Sequence, residues 1–458
     1  VRSRLDALFQ AFLRLIVRVF FRGVEVVGKE RLPRGRPMVL VANHVNGLID
    51  PLLLLGALPV HPRLLAKSTL WKNPIVRPWV ELAGAIPVYR RQDQVDTAQN
   101  EETFARSHAL LASGGALALF PEGKSHSEPA LQPLKTGLAR IVLGAEAKHP
   151  GLGTRILPIG LTFDAKQQFR SRVLLQIGEP IDPAPELAQG GTENPEAVRA
   201  LTARVSDALE KVTLNYASWD DARLVARAAE LWGREKVDLP GRRRLAESFP
   251  IHQAFIEGAE DLRSRFPDRV AAVADAVRAY DRLLAAFRLR DDQVAAVYPA
   301  SPVLRFAGRT LLRLLIHLPL AVVGTILNWV PYRLIGALAA RIAGDDADAD
   351  QTATYKLFGA VLLFPITWIT AAVLAARWTG AWWAAPLALI LAPLAGYAAL
   401  LFDEHRNRFW QEARAYFLLR SRKRSAEELR SCRKKVLEQV EELENLWRSG
   451  KIEAGYTS

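Results

Sequence analysis

Apolar positions change their period along the chain, and each change marks a different kind of structure. Over 1–22, Leu5, Leu8, Phe9, Phe12, Leu13, Leu15, Ile16, Val19 and Phe20 recur at helical spacing, with Arg2, Arg4, Arg14, Arg18 and Arg22 between them. This predicts an amphipathic, membrane-associated helix whose arginines face anionic headgroups; the plainer alternative is a helix packed on the following domain. From 23 to 183 the pattern alternates. Short β-rich runs stand at Val24–Val27, Met38–Ala42, Ala85–Tyr89, Ala116–Phe120, Ile156–Phe163 and Val173–Ile177, and segments of helical spacing such as Asp96–Ala112 and Leu134–Ala147 lie between them. That alternation predicts an α/β domain, a mixed sheet covered by helices. Pro183 to Asn194 reads as a surface loop or linker, and the rest of 184–300 as a charged helical subdomain.

The membrane region is expected over 301–402. Leu357–Ala376 and Trp382–Phe402 carry no charge, and only Arg377-Trp-Thr-Gly-Ala381 separates them. Each is long enough to cross a hydrocarbon core of about 30 Å, so together they predict a transmembrane hairpin. Leu314–Ala340 holds His317, Asn328, Pro331 and Arg333, which leaves a third span, a re-entrant pair and an interfacial helix all open. Over 403–458 acidic and basic residues alternate around Leu429, Val436, Val440, Leu443 and Leu446, the pattern of a charged helical tail or short coiled coil.

Composition narrows the partners. A formal net charge of +13 suits an anionic partner: nucleic acid, a membrane surface or a phosphorylated substrate. With 50% hydrophobic residues gathered into long C-terminal runs, nucleic acid is the poorest fit. The single cysteine, Cys432, excludes an internal disulfide and a cysteine-based zinc site, and suits a reducing compartment. Residues 1–22 lack the uninterrupted apolar core and cleavage site of a secretory signal. Basic residues crowd both flanks of the membrane region (Arg305, Arg309 and Arg313 before it, Arg406, Arg408 and Arg414 after it), whereas the hairpin loop carries only Arg377. The positive-inside rule then places both soluble portions in the cytoplasm.

Candidate chemistry gathers after the β-rich runs. Met38–Ala42 leads into Asn43-His44, and Asp50-Pro51 follows. Histidine is the default general base near neutrality, and a carboxylate on its second ring nitrogen fixes the tautomer. Six positions apart on a regular helix, His44 and Asp50 would point about 240° apart, so they meet only if Asn46-Gly47 bends the segment. Asp50-Pro51 also reads as an N-cap followed by a first-turn proline. Arg90 and Arg91 end a strand-like run and suit a phosphate. Phe120-Pro-Glu-Gly-Lys-Ser-His126 reads as a tight turn whose backbone N–H groups can cradle an anion, with Glu122 placed to accept a substrate hydroxyl or hold a basic group. Lys135, in Pro133-Leu-Lys-Thr-Gly137, is expected in the first turn of a helix.

Taken in order, Asn43-His44…Asp50-Pro51, Gly84…Pro87…Arg90, Phe120-Pro121-Glu122-Gly123 and Leu157-Pro158-Ile159-Gly160 resemble the motifs of the glycerolipid acyltransferase family that includes bacterial lysophosphatidic acid acyltransferases. Two departures stand out. Five residues rather than four separate His44 from Asp50, and the third motif continues Lys124-Ser125-His126 where Thr-Arg-Ser is commoner. Both look like the fungal branch that acylates glycerol-3-phosphate or dihydroxyacetone phosphate, as do Phe169-Arg-Ser-Arg172 and Pro133-Leu-Lys-Thr-Gly137. The resemblance implies that His44 is general base on an acceptor hydroxyl, oriented by Asp50, and that the hydroxyl attacks an acyl thioester directly. It implies that Arg90 binds the acceptor phosphate, that Glu122 and Gly123 shape the acceptor site, and that Lys124, Ser125 and Lys135 assist. The expected co-substrate is an acyl-CoA or acyl carrier protein thioester, with no metal and no other cofactor. Expected partners are membrane lipids and a phosphorylated glycerol acceptor; the expected place is a bacterial inner membrane, with the site on the cytoplasmic face. Acylation of a lysolipid is the alternative within this class, and a non-catalytic lipid-binding scaffold the alternative outside it.

Overall fold

The computed structural model describes residues 2–74, 76–90, 100–166, 168–236, 244–295, 300–343 and 349–453. The chain divides into two compact units: Val1–Ala222 with Gly241–Gln253 and Asp348–Thr354, and Arg223–Pro240 with Ala254–Ala347 and Tyr355–Ser458.

In the first unit the chain runs α1 (Arg2–Phe20), β1 (Gly23–Val27), β2 (Met38–Ala42), α2 (Ile49–Gly56), β3 (Arg63–Lys67), α3 (Arg77–Leu82), β4 (Ile86–Val88), α4 (Asn100–Ala112), β5 (Ala116–Leu119), α5 (Gly137–Lys148), β6 (Arg155–Phe163), β7 (Arg172–Ile177), α6 (Ala184–Ala188) and α7 (Pro195–Glu210). The strands form one seven-stranded sheet in the order β1-β7-β6-β2-β5-β3-β4. It is mixed, as the alternating pattern predicts: β6 and β7 pair antiparallel, and every other neighbouring pair is parallel. β3 is the strand the pattern did not reveal. Its apolar middle is short and ends in Arg63 and Lys67, so it carries no alternation to read.

β2 lies at the centre, and Met38–Ala42 are all buried, as a parallel strand covered on both faces requires. Val39 and Val41 join Leu117 and Leu119 of β5, Ile141 and Val142 of α5 and Leu201 and Val205 of α7 in the principal core. Parallel pairing fixes where the loops leave. Val41 stands opposite Leu119 of β5 and Pro158 of β6, so the chain beyond β2 and beyond β5 emerges at the same sheet edge. Because β3 is parallel to β5 and β4 to β3, the chain beyond Val88 emerges there too.

α1 presents three faces. Phe9, Leu13, Val17 and Phe20 are buried, and the helix rests closely on α2: a Cβ at Gly56 would lie 2.8 Å from Val17 Cγ2. Leu5, Leu8, Phe12, Leu15 and Val19 form a separate stripe that is exposed, Leu8 to 68% and Leu15 to 58%. Arg4, Arg14 and Arg18 are also exposed and fall beside that stripe. The C-terminal end of α1 is held by Arg170, whose backbone N–H donates to Phe20 O at 2.8 Å and whose Nη1 donates to Phe21 O at 3.3 Å. Arg170 adopts φ 64°, in the left-handed region.

The second unit carries most of α8 (Trp219–Lys236) and α9 (Leu245–Arg265), then α10 (Pro267–Phe287), α11 (Asp291–Ala295), α12 (Ala300–Ala343), α13 (Ala349–Thr379) from Tyr355 on, α14 (Ala384–Ser421) and α15 (Lys423–Glu453). Among the described residues, three helical stretches are long and apolar enough to cross a membrane: Ala307–Ala339, Tyr355–Thr379 and Ala384–Ser421. The segment left open over Leu314–Ala340 therefore lies within one continuous helix, with Pro319 and Pro331 inside it. Its polar residue Asn328 accepts a hydrogen bond from Trp368 Nε1 at 2.9 Å, which joins α12 to α13. α12 also meets α14 closely, since a Cβ at Gly324 would fall 1.9 Å from Ala395 O. The charged tail packs back within its own chain: Leu429, Val436 and Val440 of α15 share a core with Val273, Val277 and Tyr280 of α10. The buried carboxylate of Asp291 joins the two, accepting from Tyr280 Oη and from Arg433 Nε, each at 2.9 Å.

Gly160 explains why a glycine ends the Leu157-Pro-Ile-Gly run. A Cβ there would fall 1.6 Å from Val212 O, in the segment just after α7. Gly160→Ala is expected to destabilise the first unit by about 1–3 kcal/mol through overpacking, seen as a lower melting temperature of the purified protein. An unchanged melting temperature would show that Val212 yields freely.

Candidate active site

The loop after β2 solves the spacing problem posed by His44 and Asp50. Residues 45–48 bend and turn before α2 starts, and Asp50 N–H donates to Asn46 O at 3.1 Å. Asp50 is not the N-cap. Leu48 holds that position, and Asp50 sits in the first turn of α2 with its side chain turned back towards the loop. There Oδ2 accepts from Asn46 N–H at 2.7 Å and lies 3.0 Å from His44 Nδ1. The same carboxylate thus shapes the turn and orients the imidazole. Asp50 is fully buried, and burial pushes its carboxyl above the usual carboxylate range; His44 and the amides of Asn46 and Val45 pull the other way.

The His44 ring stacks on Phe120, with centroids 4.0 Å apart and planes within 15°. Its Nδ1 faces Asp50, and its side chain is 15% exposed. Asn43, one residue earlier, fixes the strand end: Oδ1 accepts from Leu161 N–H at 2.7 Å, and Nδ2 donates to Leu161 O at 3.2 Å.

The turn after β5 reaches the same place. Gly123, at φ 78°, closes it with N–H donated to Phe120 O at 3.1 Å, so this amide is engaged within the turn. Of the two roles open to Glu122, the structure displays the holding one. Oε1 accepts from His44 N–H at 2.7 Å, and Oε2 accepts from Gln132 N–H at 2.8 Å and from His126 Nε2 at 2.5 Å. Arg90 arrives from the end of β4 and donates through Nη1 to Gly123 O at 2.8 Å. Arg91 lies outside the described residues.

Lys135 precedes its helix. α5 begins at Gly137, because Lys135 N–H is drawn to Pro121 O at 2.7 Å and keeps the segment extended across the turn. The Lys135 stem passes Gly123, its Cγ 3.4 Å from where a Cβ would stand. Lys124 and Lys135 are exposed and Ser125 is half-buried. Two residues reach this region without having been singled out from sequence. His126 lies against Glu122, and Lys166 donates through Nζ to Ser127 Oγ at 3.0 Å while its carbonyl accepts from Asn46 Nδ2 at 3.3 Å. Only the departure at Lys124-Ser125-His126 hinted at the first, and no motif marks the second.

A histidine oriented by a buried carboxylate, a nearby arginine and exposed lysines at the carboxyl ends of parallel strands can remove a proton beside a bound anion. The comparisons with known proteins fit that chemistry. Residues 23–162, which hold the whole of this site's His44, Asp50, Arg90 and Glu122 set, match the Acyltransferase family. Residues 239–448 match the glycerol-3-phosphate acyltransferase 2 C-terminal domain, so the chain carries both domain matches in order and resembles the fungal-type glycerol-3-phosphate acyltransferases. Glycerol-3-phosphate O-acyltransferase 2 of Saccharomyces cerevisiae is 30% identical over 310 residues, 64% of this chain and 40% of that protein. Glycerol-3-phosphate O-acyltransferase 1 of the same yeast is 29% identical over 40% of this chain and 24% of its own length. An uncharacterized acyltransferase of Schizosaccharomyces pombe is 23% identical over 94% of this chain and 79% of that protein. The chain therefore spans less than half the length of the two Saccharomyces proteins it matches.

The buried carboxylate yields a test. Asp50 is raised in the folded state, so its ionised form weighs against folding from the ordinary carboxylate range upward, and its protonated form does not. The melting temperature of Asp50→Asn minus that of wild type is expected to rise as pH goes from roughly 4 to 8. A flat or falling difference would contradict the burial argument.

Proposed function

We propose that the protein transfers a fatty acyl group from an acyl thioester, acyl-CoA or acyl carrier protein, to a hydroxyl of glycerol-3-phosphate or dihydroxyacetone phosphate. The observation that carries this reading is the His44–Asp50 pair, 3.0 Å apart across a bend, at an edge where Arg90 also arrives. His44 Nε2 takes the acceptor hydroxyl proton as the oxygen attacks the thioester carbonyl. The C–S bond breaks, and the thiolate leaves with the proton returned by His44. Asp50 keeps the acceptor nitrogen pointed outward and stabilises the imidazolium formed in passing. Arg90 supplies fixed positive charge for the acceptor phosphate, with Lys124, Ser125 and Lys135 as further contacts. Gly123 leaves room at the acceptor site, and Glu122 serves it by holding the His44 backbone.

Association with a membrane follows from the three apolar helices. Basic flanks support a cytoplasmic orientation for both soluble portions. The yeast relatives give a bacterial inner membrane no support, so the proposal is a cytoplasm-facing membrane enzyme of unspecified organelle or envelope. The exposed stripe of α1 supplies a second contact: Leu5, Leu8, Phe12, Leu15 and Val19 enter the acyl boundary while Arg4, Arg14 and Arg18 meet anionic headgroups.

Two experiments test these assignments. Purified wild-type protein offered glycerol-3-phosphate, dihydroxyacetone phosphate and lysophosphatidic acid with acyl-CoA is expected to prefer one of the first two, and His44→Ala to lose about 10²–10⁴-fold in turnover. Near-normal turnover by His44→Ala would overturn the mechanism, and preference for lysophosphatidic acid would overturn the acceptor. For α1, single cysteines at Leu8 and Leu15 in a Cys432→Ser background should resist a water-soluble maleimide in anionic nanodiscs. The same cysteines should react in detergent, with Glu193→Cys reactive in both. Equal reactivity in nanodiscs and detergent would remove the lipid contact.

A further inference from the structure

His126 has no role in the proton transfer proposed above, yet it touches His44 by two routes. Its backbone N–H donates to His44 O at 3.1 Å. Its side chain donates through Nε2 to Glu122 Oε2, and the other oxygen of that carboxylate accepts from His44 N–H at 2.7 Å. Both peptide groups of His44 are therefore held by one closed ring of hydrogen bonds running through Glu122 and His126. The ring is buried: Glu122 is 3% exposed and His126 is 7%. The tautomer is fixed as well. Glu128 N–H donates to His126 Nδ1 at 3.1 Å, which leaves the proton on Nε2, facing the carboxylate. So arranged, His126 is a neutral donor with both ring nitrogens engaged, which leaves it no means of accepting a substrate proton.

We infer that His126 is a positioning residue for the acyl transfer. It donates to Glu122 so that this carboxylate, with Gln132 N–H as its third donor, clamps the backbone from which His44 projects. Buried carboxylates that lose a donor are strained towards any other partner, so removing the imidazole is expected to loosen His44 rather than unfold the domain.

This inference rests on the acyl-transfer reading, and the test separates the two. Wild type, His44→Ala, His126→Phe and His126→Gln are assayed in the same lipid environment, with melting temperatures measured alongside. His126→Phe keeps the ring volume without the donor and is expected to lose about 10–100-fold in kcat with acceptor and donor KM little changed. His126→Gln restores an N–H near Nε2 and is expected to recover most of that kcat, with the wild-type pH profile because His44 remains the titrating base. A His126→Phe protein with wild-type kcat overturns the inference, as does a folded His126→Gln protein as inactive as His44→Ala, which would make His126 itself a base. Absence of wild-type turnover with every acceptor would sink the acyl-transfer reading instead. Should His126→Phe fail to fold, His126→Gln with its pH profile decides.

Discussion

Parallel pairing on both sides of β2 is the constraint on which the rest of the first unit depends. With β3 and β4 continuing the parallel run from β5, the exits from β2, β5 and β4 all fall at the same end of the sheet, whatever the loops contain. The edge itself is chemically neutral. It becomes a site because the exits carry polar groups of different kinds: the imidazole of His44 after β2, the carboxylate of Glu122 after β5 and the guanidinium of Arg90 after β4. Interior residues such as Val39, Leu40 and Val41 do no chemistry, yet a slip of one residue in their register would turn every side chain of the strand to the opposite face of the sheet.

The buried carboxylate at Asp50 shows what that arrangement demands. Placing a negative charge out of water is unfavourable, and only a few groups face this one: the imidazole of His44 and nearby backbone amides. The fold tolerates the burden because the same oxygen that orients the histidine also closes the turn entering α2. Stability and chemistry thus meet at one atom, and a residue chosen for stability alone would be neutral.

Much of this was legible in the sequence, and the failures have physical reasons. Six β-rich runs were visible because burial on both faces leaves apolar runs; β3 was not, because Arg63 and Lys67 frame only three apolar residues. The membrane hairpin could be read from length and lack of charge. The remaining span was obscured by His317, Asn328, Pro331 and Arg333; the Asn328 amide is satisfied there by Trp368 of another helix and by Gly324 O of its own. Spacing alone could not bring His44 to Asp50, because the geometry lies in a bend rather than a repeat. Nor could it show that Glu122 gathers donors from His44, His126 and Gln132, since that convergence is a property of three loops at once. Lys135 was misplaced for a similar reason: its amide is drawn away to Pro121, and helix propensity gives way to a tertiary hydrogen bond.

α14 carries a mechanical consequence. It is one helix from Ala384 to Ser421, apolar as far as Phe402 and charged beyond, so it leaves the hydrocarbon layer without a break and continues about 28 Å further. A flexible linker would let the charged part of the second unit swivel independently of the apolar helices. A continuous helix transmits torque instead. Through Ala415 and Leu419, which are packed into the core shared with α10 and α15, rotation of this span in the bilayer becomes rotation of the helical unit around it.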